Sequence, residues 1–490
     1  MKRTFLKLLG TVALINVIAR LLGFAREVII GYQYGTGYEA DSIITAFTIP
    51  NFLYIVVGGA ITTAFISVYS KTTESVKHTF AQTVLSGLGL LMGVLTILFV
   101  VWPGFWMNLF FGGLSPEAMK LTSKLFALMA PGAFFLALAM ALSGLHNVHS
   151  NFRLTATSTL LFNAVFLVVG FGLTPFMSAY SYGLGALLGS FLMLIVLVAY
   201  IRKQAIMPFR FRLVKMPEMT RFIKMALPIV FGGATIQFYF IIQRIFAADL
   251  SEGVIAAMNY ASKMTQFPQA VLMTSVTTII YPMLAKAVGE KDERKVTNAY
   301  QKGFRMLSIL LLPATVFVFS YAKEIISLIF GYGHFQADAI RDTYPLLQVF
   351  ALGMFALALN TYVTRFFYAR EQSYTPVVMN VMSVFGVNIA VITLLIDDLG
   401  AQAIALGTVV ASIVNMVLLL VAAKRKLGLV IGDWTTIGKL AGFVAVSAPV
   451  IYSTTFIPVP SHLLSLAIGG AVTGILLLLG LALNHKQMEH

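Results

Sequence analysis

Long apolar runs alternate with short polar segments along the whole chain. Each run has about 20 residues or more, enough for a helix to cross the roughly 30 Å hydrocarbon core of a bilayer. The runs are continuous and show no residue-by-residue alternation, which excludes transmembrane strands. The pattern predicts an all-α polytopic membrane protein with about fourteen transmembrane helices, over residues 5–30, 38–69, 79–101, 118–145, 154–174, 179–201, 222–249, 255–284, 304–322, 342–369, 375–396, 401–423, 437–457 and 463–484.

The basic residues of the connecting loops support this count. If the N-terminus is cytoplasmic, alternate loops face the cytoplasm. These loops hold most of the loop cations: Lys71, Lys77, Arg153, Arg202, Lys203, Arg210, Arg212, Lys215, Lys286, Lys291, Arg294, Lys295, Arg370, Lys424, Arg425 and Lys426. The opposite loops hold mainly acidic residues. Cytoplasmic loops of membrane proteins carry an excess of Lys and Arg. The distribution therefore predicts that both termini are cytoplasmic.

The most polar and basic connection divides the predicted helices into two groups of six. It contains Pro208 and Pro217. Two further helices follow the second group. The predicted organisation is an N-lobe (residues 1–201), a cytoplasmic linker (202–221), a C-lobe (222–423) and a C-terminal helix pair (437–484).

A weak internal repeat relates the two lobes. Thr62-Thr63 precedes Lys71 in the first lobe, and Thr277-Thr278 precedes Lys286 with the same spacing in the second. Lobes with an even number of helices have parallel topology and are related by a pseudo-two-fold axis along the membrane normal. The helix pair 437–484 lies outside this repeat.

The composition changes the picture in two ways. The 490 residues are 59% hydrophobic and 11% charged, with a net charge of +15. Such a positive balance can indicate nucleic-acid binding, but the positive-inside rule accounts for it here, so no nucleic-acid partner is expected. The chain has no cysteine, which excludes disulfides and thiolate-ligated metals.

Motifs of energy-coupled and catalytic proteins are absent from the sequence. There is no GxxxxGK[ST] loop, no glycine-rich dinucleotide motif and no TVGYG filter, and the seven histidines form no ligand pattern. The chain is therefore expected to be a transporter and not an enzyme, with no cofactor. Alternating access driven by the membrane potential or an ion gradient is the expected mechanism.

The predicted spans contain several cations, and four of them stand out: Arg20, Arg26, Arg244 and Lys263. A cation at the centre of a bilayer costs at least about 2.5–3.5 kcal/mol, so such residues usually serve a function. They predict a polar chamber that receives an anion. Asp41 is an expected neighbour that tempers the positive field.

Each cation also has a structural interpretation. Arg20 and Glu27 share one helical face, so they either form a structural ion pair or line the chamber. Arg26 and Arg244 lie near helix ends, from which long side chains can reach the interface. Arg365, near the inner end of its span, has the same two alternatives.

The segment around the first two spans resembles the MurJ/MviN family, the lipid II flippases of the MOP superfamily. Residues 19–27 read ARLLGFARE, against a family pattern of S-R-x-L-G-F-x-R-[DE]. Three later stretches agree as well: QRIFA with Arg244, FPQAV after Lys263, and RFFYAREQSYTP with Arg365. The residues that match the first motifs are Arg20, Gly23, Phe24, Arg26, Glu27, Gly35, Gly37, Asp41, Pro50 and Asn51.

This resemblance implies two six-helix lobes around a cationic cavity, with the last two helices shaping a groove for an undecaprenyl tail. It implies that a pyrophosphate-linked glycolipid contacts Arg20, Arg26 and Lys263, and it adds Arg244, Asp41, Glu27, Asn51 and Arg365 to the cavity. A monomer surrounded by membrane lipids in the bacterial cell membrane is expected.

The sequence departs from the family at two places. Tyr54, Ile55, Gly58 and Gly59 replace a basic residue and a Glu-Gly in the second span. The acidic positions of a sodium site found in some members are Gln243 and Ile392 here, although Asn388 and Thr408 remain as a degenerate site. Two alternatives stay open: a Wzx- or teichoic-type polysaccharide-lipid flippase, and a MATE-like multidrug exporter, which would favour acidic residues in the cavity.

Overall fold

The computed structural model describes residues 2–486, and the side-chain surroundings of residues 10–230, 234 and 237–483. The described residues form helices and connecting segments, without a strand. The chain ends, Met1 and residues 487–490, lie outside the described residues. The cytoplasmic placement of both termini therefore stays a prediction.

The chain forms two compact units, Met1–Ala256 and Ala257–His490. The first unit contains α1 (Lys2–Tyr34), α2 (Tyr38–Ala46), α3 (Thr48–Leu53), α4 (Gly59–Tyr69), α5 (Glu74–Val101), α6 (Pro103–Phe111), α7 (Pro116–Val148), α8 (Phe152–Gly172), α9 (Thr174–Met177), α10 (Tyr180–Lys203) and α11 (Pro217–Ala248).

Helix α12 begins in the first unit and continues into the second. The remaining elements are α12 (Val254–Gly289), α13 (Glu293–Ser320), α14 (Ala322–Phe330), α15 (Ala337–Leu352), α16 (Met354–Ala369), α17 (Tyr374–Val381), α18 (Ile389–Leu399), α19 (Ala401–Leu427), α20 (Trp434–Ser453) and α21 (His462–Lys486).

The predicted all-α membrane fold is confirmed. Among the described residues, eleven helical segments are long and apolar enough to cross a membrane, or twelve if α15 and α16, bent by 40°, form one span. Helices α1 and α11 are outside this set, although they have 33 and 32 residues. Every predicted segment falls on helix, but the count of fourteen spans stays a prediction.

The second predicted span is the least regular of the first unit. Helix α2 ends at Ala46, α3 follows from Thr48, and a π-helical turn at Tyr54–Gly58 leads into α4. Pro50 explains the first break, because proline has no N–H to donate to the carbonyl oxygen of Ala46. Phe47 and Thr48 lie at this break, and both contact residues of the site described below.

The connection between α10 and α11 is extended and is bound to α5. Gln82 Nε2 donates to the carbonyl oxygen of Pro208 at 2.6 Å, and Ser86 Oγ accepts from the backbone N–H of Arg212 at 3.0 Å. The extended part covers residues 204–216, within the predicted linker 202–221. The compact units divide at Ala256, and the predicted lobe boundary at the linker stays a prediction.

Helices α8 and α10 pack closely because glycines remove side chains from their contact. A Cβ at Gly185 would lie 2.7 Å from the carbonyl oxygen of Phe166. Backbone atoms of a helix cannot move aside as a flexible side chain can. Small residues of this kind allow membrane helices to approach closely.

We expect Gly185→Ala to destabilise the first unit by about 1–3 kcal/mol, because the added methyl group overlaps the α8 backbone. Gly172→Ala is the matched control, since a Cβ at Gly172 meets no atom within 4 Å. Thermal unfolding of the purified protein in detergent measures both. Equal unfolding temperatures for the two variants would contradict this account of the packing.

Candidate functional site

A buried ion pair occupies the first unit between α1 and α8. Arg26 Nη2 donates to Glu27 Oε1 at 2.7 Å, and the two side chains are 13% and 7% exposed. Because the two buried groups carry opposite charges, neither bears the large penalty of an isolated charge in a low-dielectric environment. Glu27 thus compensates the charge of a guanidinium inside the unit.

Two aromatic rings enclose the same guanidinium. Arg26 Cζ lies 4.4 Å from the ring centroid of Phe166 and 5.4 Å from that of Phe47. The two rings contact each other edge to face, at 5.2 Å between centroids. Cation–π contacts are stronger when the cation is desolvated, so the rings both hold and orient Arg26.

A second guanidinium binds at the break in the second span. Arg244, near the end of α11, donates from Nη1 to Thr48 Oγ1 at 2.8 Å. The Glu27 carboxylate and the Arg26 guanidinium both act electrostatically on Arg244. The residue before Thr48 is Phe47, so the break after α2 supplies neighbouring residues to both cations.

Arg26, Glu27 and Arg244 are referred to below as the arginine cluster. It contains two positive charges and one negative charge, so it holds one positive charge in excess. The guanidinium group presents a planar fork of donors that matches phosphate oxygens. The arrangement can therefore receive an anion such as a phosphate or pyrophosphate.

Asp41 is engaged by the start of α12 and not by an arginine. Its Oδ2 accepts from the N–H of Gly253 at 2.6 Å and its Oδ1 from the N–H of Ala256 at 2.7 Å, and the residue is 2% exposed. Helix N-termini leave donors unpaired and favour a negative charge. Asp41 thus caps α12 through a contact between distant parts of the chain.

The turn that Asp41 caps is tightly enclosed. Gly253 has a φ of +87°, a region that favours glycine, and a Cβ there would overlap the carbonyl oxygen of Thr36. Beside it, Ser115 Oγ donates to Glu252 Oε1 at 2.6 Å. The turn between α11 and α12 is thereby fixed to the start of α2 and the start of α7.

The other predicted site residues of the first unit are more accessible. Arg20 is exposed on α1 among exposed apolar residues, and Glu27 pairs with Arg26. Helix α1 runs without a break through Gly23, which faces Asn163 of α8. Asn51 is half-buried in α3. The structure brings Arg26, Glu27 and Arg244 together.

The remaining predicted residues lie in the second unit. Lys263 is half-buried in α12, and Arg365 is exposed on α16 with its Cζ 5.4 Å from the Tyr281 ring centroid. Asn388 is fully buried in a π-helical turn at Met382–Asn388, and Thr408 Oγ1 donates to the carbonyl oxygen of Ile404 at 3.3 Å.

The degenerate sodium site has few anionic ligands. Gln243 is uncharged, Ile392 is apolar and fully buried, and no group of three or more His, Cys, Asp or Glu residues lies together in the described part of the chain. Hard cations such as sodium prefer oxygen ligands and are held best by carboxylates. Ion coupling stays a prediction.

Sequence reasoning missed Phe47, Thr48 and Phe166. A phenylalanine in an apolar span is most often a core residue, so neither ring carried a signal. Thr48 lies two residues before Pro50, and the tendency of proline to interrupt a helix was the available clue.

The family model described as "Lipid II flippase MurJ" matches residues 30–469. A probable lipid II flippase MurJ of Rhizobium tropici is 28% identical over 451 residues, which cover 88% of this chain and 83% of the relative. A lipid II flippase MurJ of Burkholderia cenocepacia is 24% identical and covers 85% and 83%.

Solved structures share the fold. A lipid II flippase MurJ in an inward closed conformation superposes with a TM-score of 0.85 at 22% identity, covering 98% of this chain and 99% of that one. An inward-facing MATE multidrug transporter of the MOP superfamily gives a TM-score of 0.69 at 13% identity, covering 86% and 95%. Because the family model covers most of the sequence, this chain belongs to the MurJ family.

Proposed function

We propose that this protein is a lipid II flippase. It moves the undecaprenyl-pyrophosphate-linked peptidoglycan precursor from the cytoplasmic to the outer leaflet of the bacterial cell membrane, for cell wall synthesis. Family membership supports the cargo, and the arginine cluster is the observation that carries the proposal. The cluster supplies positive charge that can bind a pyrophosphate.

The cluster suits a cargo that must be both bound and released. Arginine pairs with phosphate oxygens through two parallel hydrogen bonds, which are stronger than bonds between neutral groups. When no cargo is present, Glu27 compensates Arg26, so the unit does not carry an unpaired buried charge. Pyrophosphate competes with Glu27 for the guanidinium, and Glu27 restores the pair after release.

Four further residues take supporting roles in this proposal. Lys263 contributes a compact positive charge from α12. Arg20 is accessible on α1 and meets the head group as it arrives. Asn51 and Arg365 stay candidate contacts of the cargo, as the family resemblance implies.

The MATE-like exporter is disfavoured by charge. A cationic drug would be repelled by a cluster with one positive charge in excess, whereas a diphosphate is attracted. The MATE likeness concerns the fold alone. A Wzx- or teichoic-type flippase would use the same pyrophosphate chemistry, and the saccharide carried by the lipid distinguishes it.

The energy source belongs to the same proposal. Alternating access is coupled to the membrane potential or to an ion gradient. The membrane potential supplies about 2.3 kcal/mol per charge per 100 mV. The protein acts as a monomer with both termini in the cytoplasm, and it uses no cofactor.

Depletion of the protein followed by leaflet-specific labelling tests the function. Without the protein, lipid II should remain accessible only from the cytoplasmic side, and re-expression should restore labelling from outside. Unchanged external labelling of lipid II, together with a block in another undecaprenyl-linked glycan, would replace lipid II by that glycan as the cargo.

We expect Arg26→Ala, Arg244→Ala, Lys263→Ala and Arg20→Ala each to reduce flipping. The loss of a charge-assisted hydrogen bond is worth about 1.5–3 kcal/mol, or about 10- to 100-fold in rate. Arg341→Ala is the control, because this arginine is 72% exposed beside Asp338. The measurement is lipid II labelling in cells that contain equal amounts of each variant. Full activity of all four variants would refute the site.

We expect Asp41→Ala to lower thermal stability and flipping together, because α12 loses its cap. Caps of this kind contribute about 0.5–2 kcal/mol. Glu117→Ala is the control, since Glu117 is also an acidic residue of a first helical turn but is exposed. An unfolding temperature that does not change on substitution of Asp41 would show that the two hydrogen bonds do not hold the turn.

A further inference from the structure

A second cationic cavity lies in the second unit, away from the arginine cluster in sequence and composition. It has a volume of about 490 Å³ and lies between α13, α20 and α21. Two cations line it, Arg305 and Lys439, beside apolar residues of all three helices. The apolar part of its wall includes Phe443, Val446 and Leu483.

Arg305 is an unusual residue for a spanning helix. It lies in the fourth turn of α13, and its Nε is buried without a hydrogen-bond partner among the described residues. A buried donor that lacks a partner costs about 1–3 kcal/mol. An anion in the cavity would remove this penalty.

Lys439 lies in the second turn of α20 and is exposed. Neither cation forms an ion pair within the described part of the chain. The carboxylate nearest to Lys439 in the sequence, Asp433, caps α20 instead. Hydrogen bonds from Thr435 and Thr436 lower the pKa of Asp433 to about 2, so it remains ionised in that role.

The cavity opens towards the lipid-facing surface. Val446 and Leu483, on its wall, are 65% and 61% exposed. A Cβ at Gly442 would meet no atom within 4 Å, so this glycine borders open space. Gly480 closes the opposite side, where a Cβ would lie 2.7 Å from Ile309 and 2.8 Å from Phe443.

A neighbouring apolar cavity provides a comparison for the effect of the two cations. It has about 440 Å³, lies against α13 and α20 beside Phe304 and Phe355, and shares Leu440 with the first. No charged residue lines it. Both cavities offer space for hydrocarbon, but only the one with Arg305 and Lys439 offers charge complementarity to an anionic head group.

We infer that this cavity binds one anionic phospholipid of the surrounding bilayer, such as phosphatidylglycerol. Arg305 and Lys439 hold its phosphodiester, and one acyl chain lies along Phe443, Val446 and Leu483. Basic pockets between transmembrane helices on the cytoplasmic side are suited to anionic head groups. Helix α20 follows Lys424, Arg425 and Lys426 at the end of α19, which the positive-inside rule places on that side.

The site would fix α20 to α13. Two cavities border this helix, and a bound lipid would fill one of them. The inference concerns a lipid of the membrane and not the transported cargo, so it can fail while the proposed flippase activity stands.

The test is native mass spectrometry of the purified full-length protein with phosphatidylglycerol and phosphatidylcholine of identical acyl chains. We expect one phosphatidylglycerol to bind at least about tenfold more tightly, since each cation contributes on the order of 1 kcal/mol near an anionic lipid. The variant with Arg305→Gln and Lys439→Gln should bind both lipids within about twofold of each other. The control variant with Lys424→Gln and Arg425→Gln should keep the preference.

Gly442→Phe tests the cavity without changing a charge. The ring should fill the open space and displace the lipid, whereas Gly474→Phe in α21, also bordered by open space, should leave binding unchanged. Persistence of the preference in both cavity variants would overturn the inference. An equal loss of the preference in the control variants, or displacement of the lipid by inorganic phosphate alone, would also overturn it. Tighter binding of undecaprenyl phosphate would overturn it as well and would assign the cavity to the carrier lipid.

Discussion

The structure of the site depends on compensating the charge of the Arg26 guanidinium inside an apolar unit. Glu27 compensates the charge, and Phe47 and Phe166 enclose it. Any of these partners alone would be insufficient, because a buried cation needs both a counter-charge and a packed environment. Together they hold a guanidinium that pairs with the Glu27 carboxylate when no cargo is present. In the proposed function, the same guanidinium pairs with phosphate oxygens when a diphosphate arrives.

The irregular backbone of the second span lies next to this arrangement. Phe47, between α2 and α3, contacts Arg26, and Thr48, the first residue of α3, binds Arg244. Pro50 supplies the break, and a π-helical turn follows at Tyr54–Gly58. Asp41, in the same span, ties the start of α12 to this region. One span therefore links the two arginines to a fixed helix terminus.

Much of the fold could be predicted from hydrophobicity, because membrane helices must satisfy their own backbone and so appear as long apolar runs. The site could be predicted only in part. Arg26 and Arg244 stood out as charges in apolar spans. Arg20 was the expected partner of Glu27 because the two share a helical face, but the direction of the side chains pairs Glu27 with Arg26. Arg305 was not singled out because it is the second residue of the predicted span 304–322, where a cation is typical of a helix end, whereas α13 begins at Glu293 and carries Arg305 in its fourth turn. Polar first turns of long helices have no hydrophobic signal.

The most direct test of the central claim is the affinity of the purified protein for undecaprenyl pyrophosphate compared with undecaprenol of the same chain length, measured by native mass spectrometry. If the arginine cluster recognises the diphosphate, the pyrophosphate should bind at least about tenfold more tightly, and the difference should vanish in Arg26→Gln. Equal affinities of the two lipids for the unmodified protein would contradict the account.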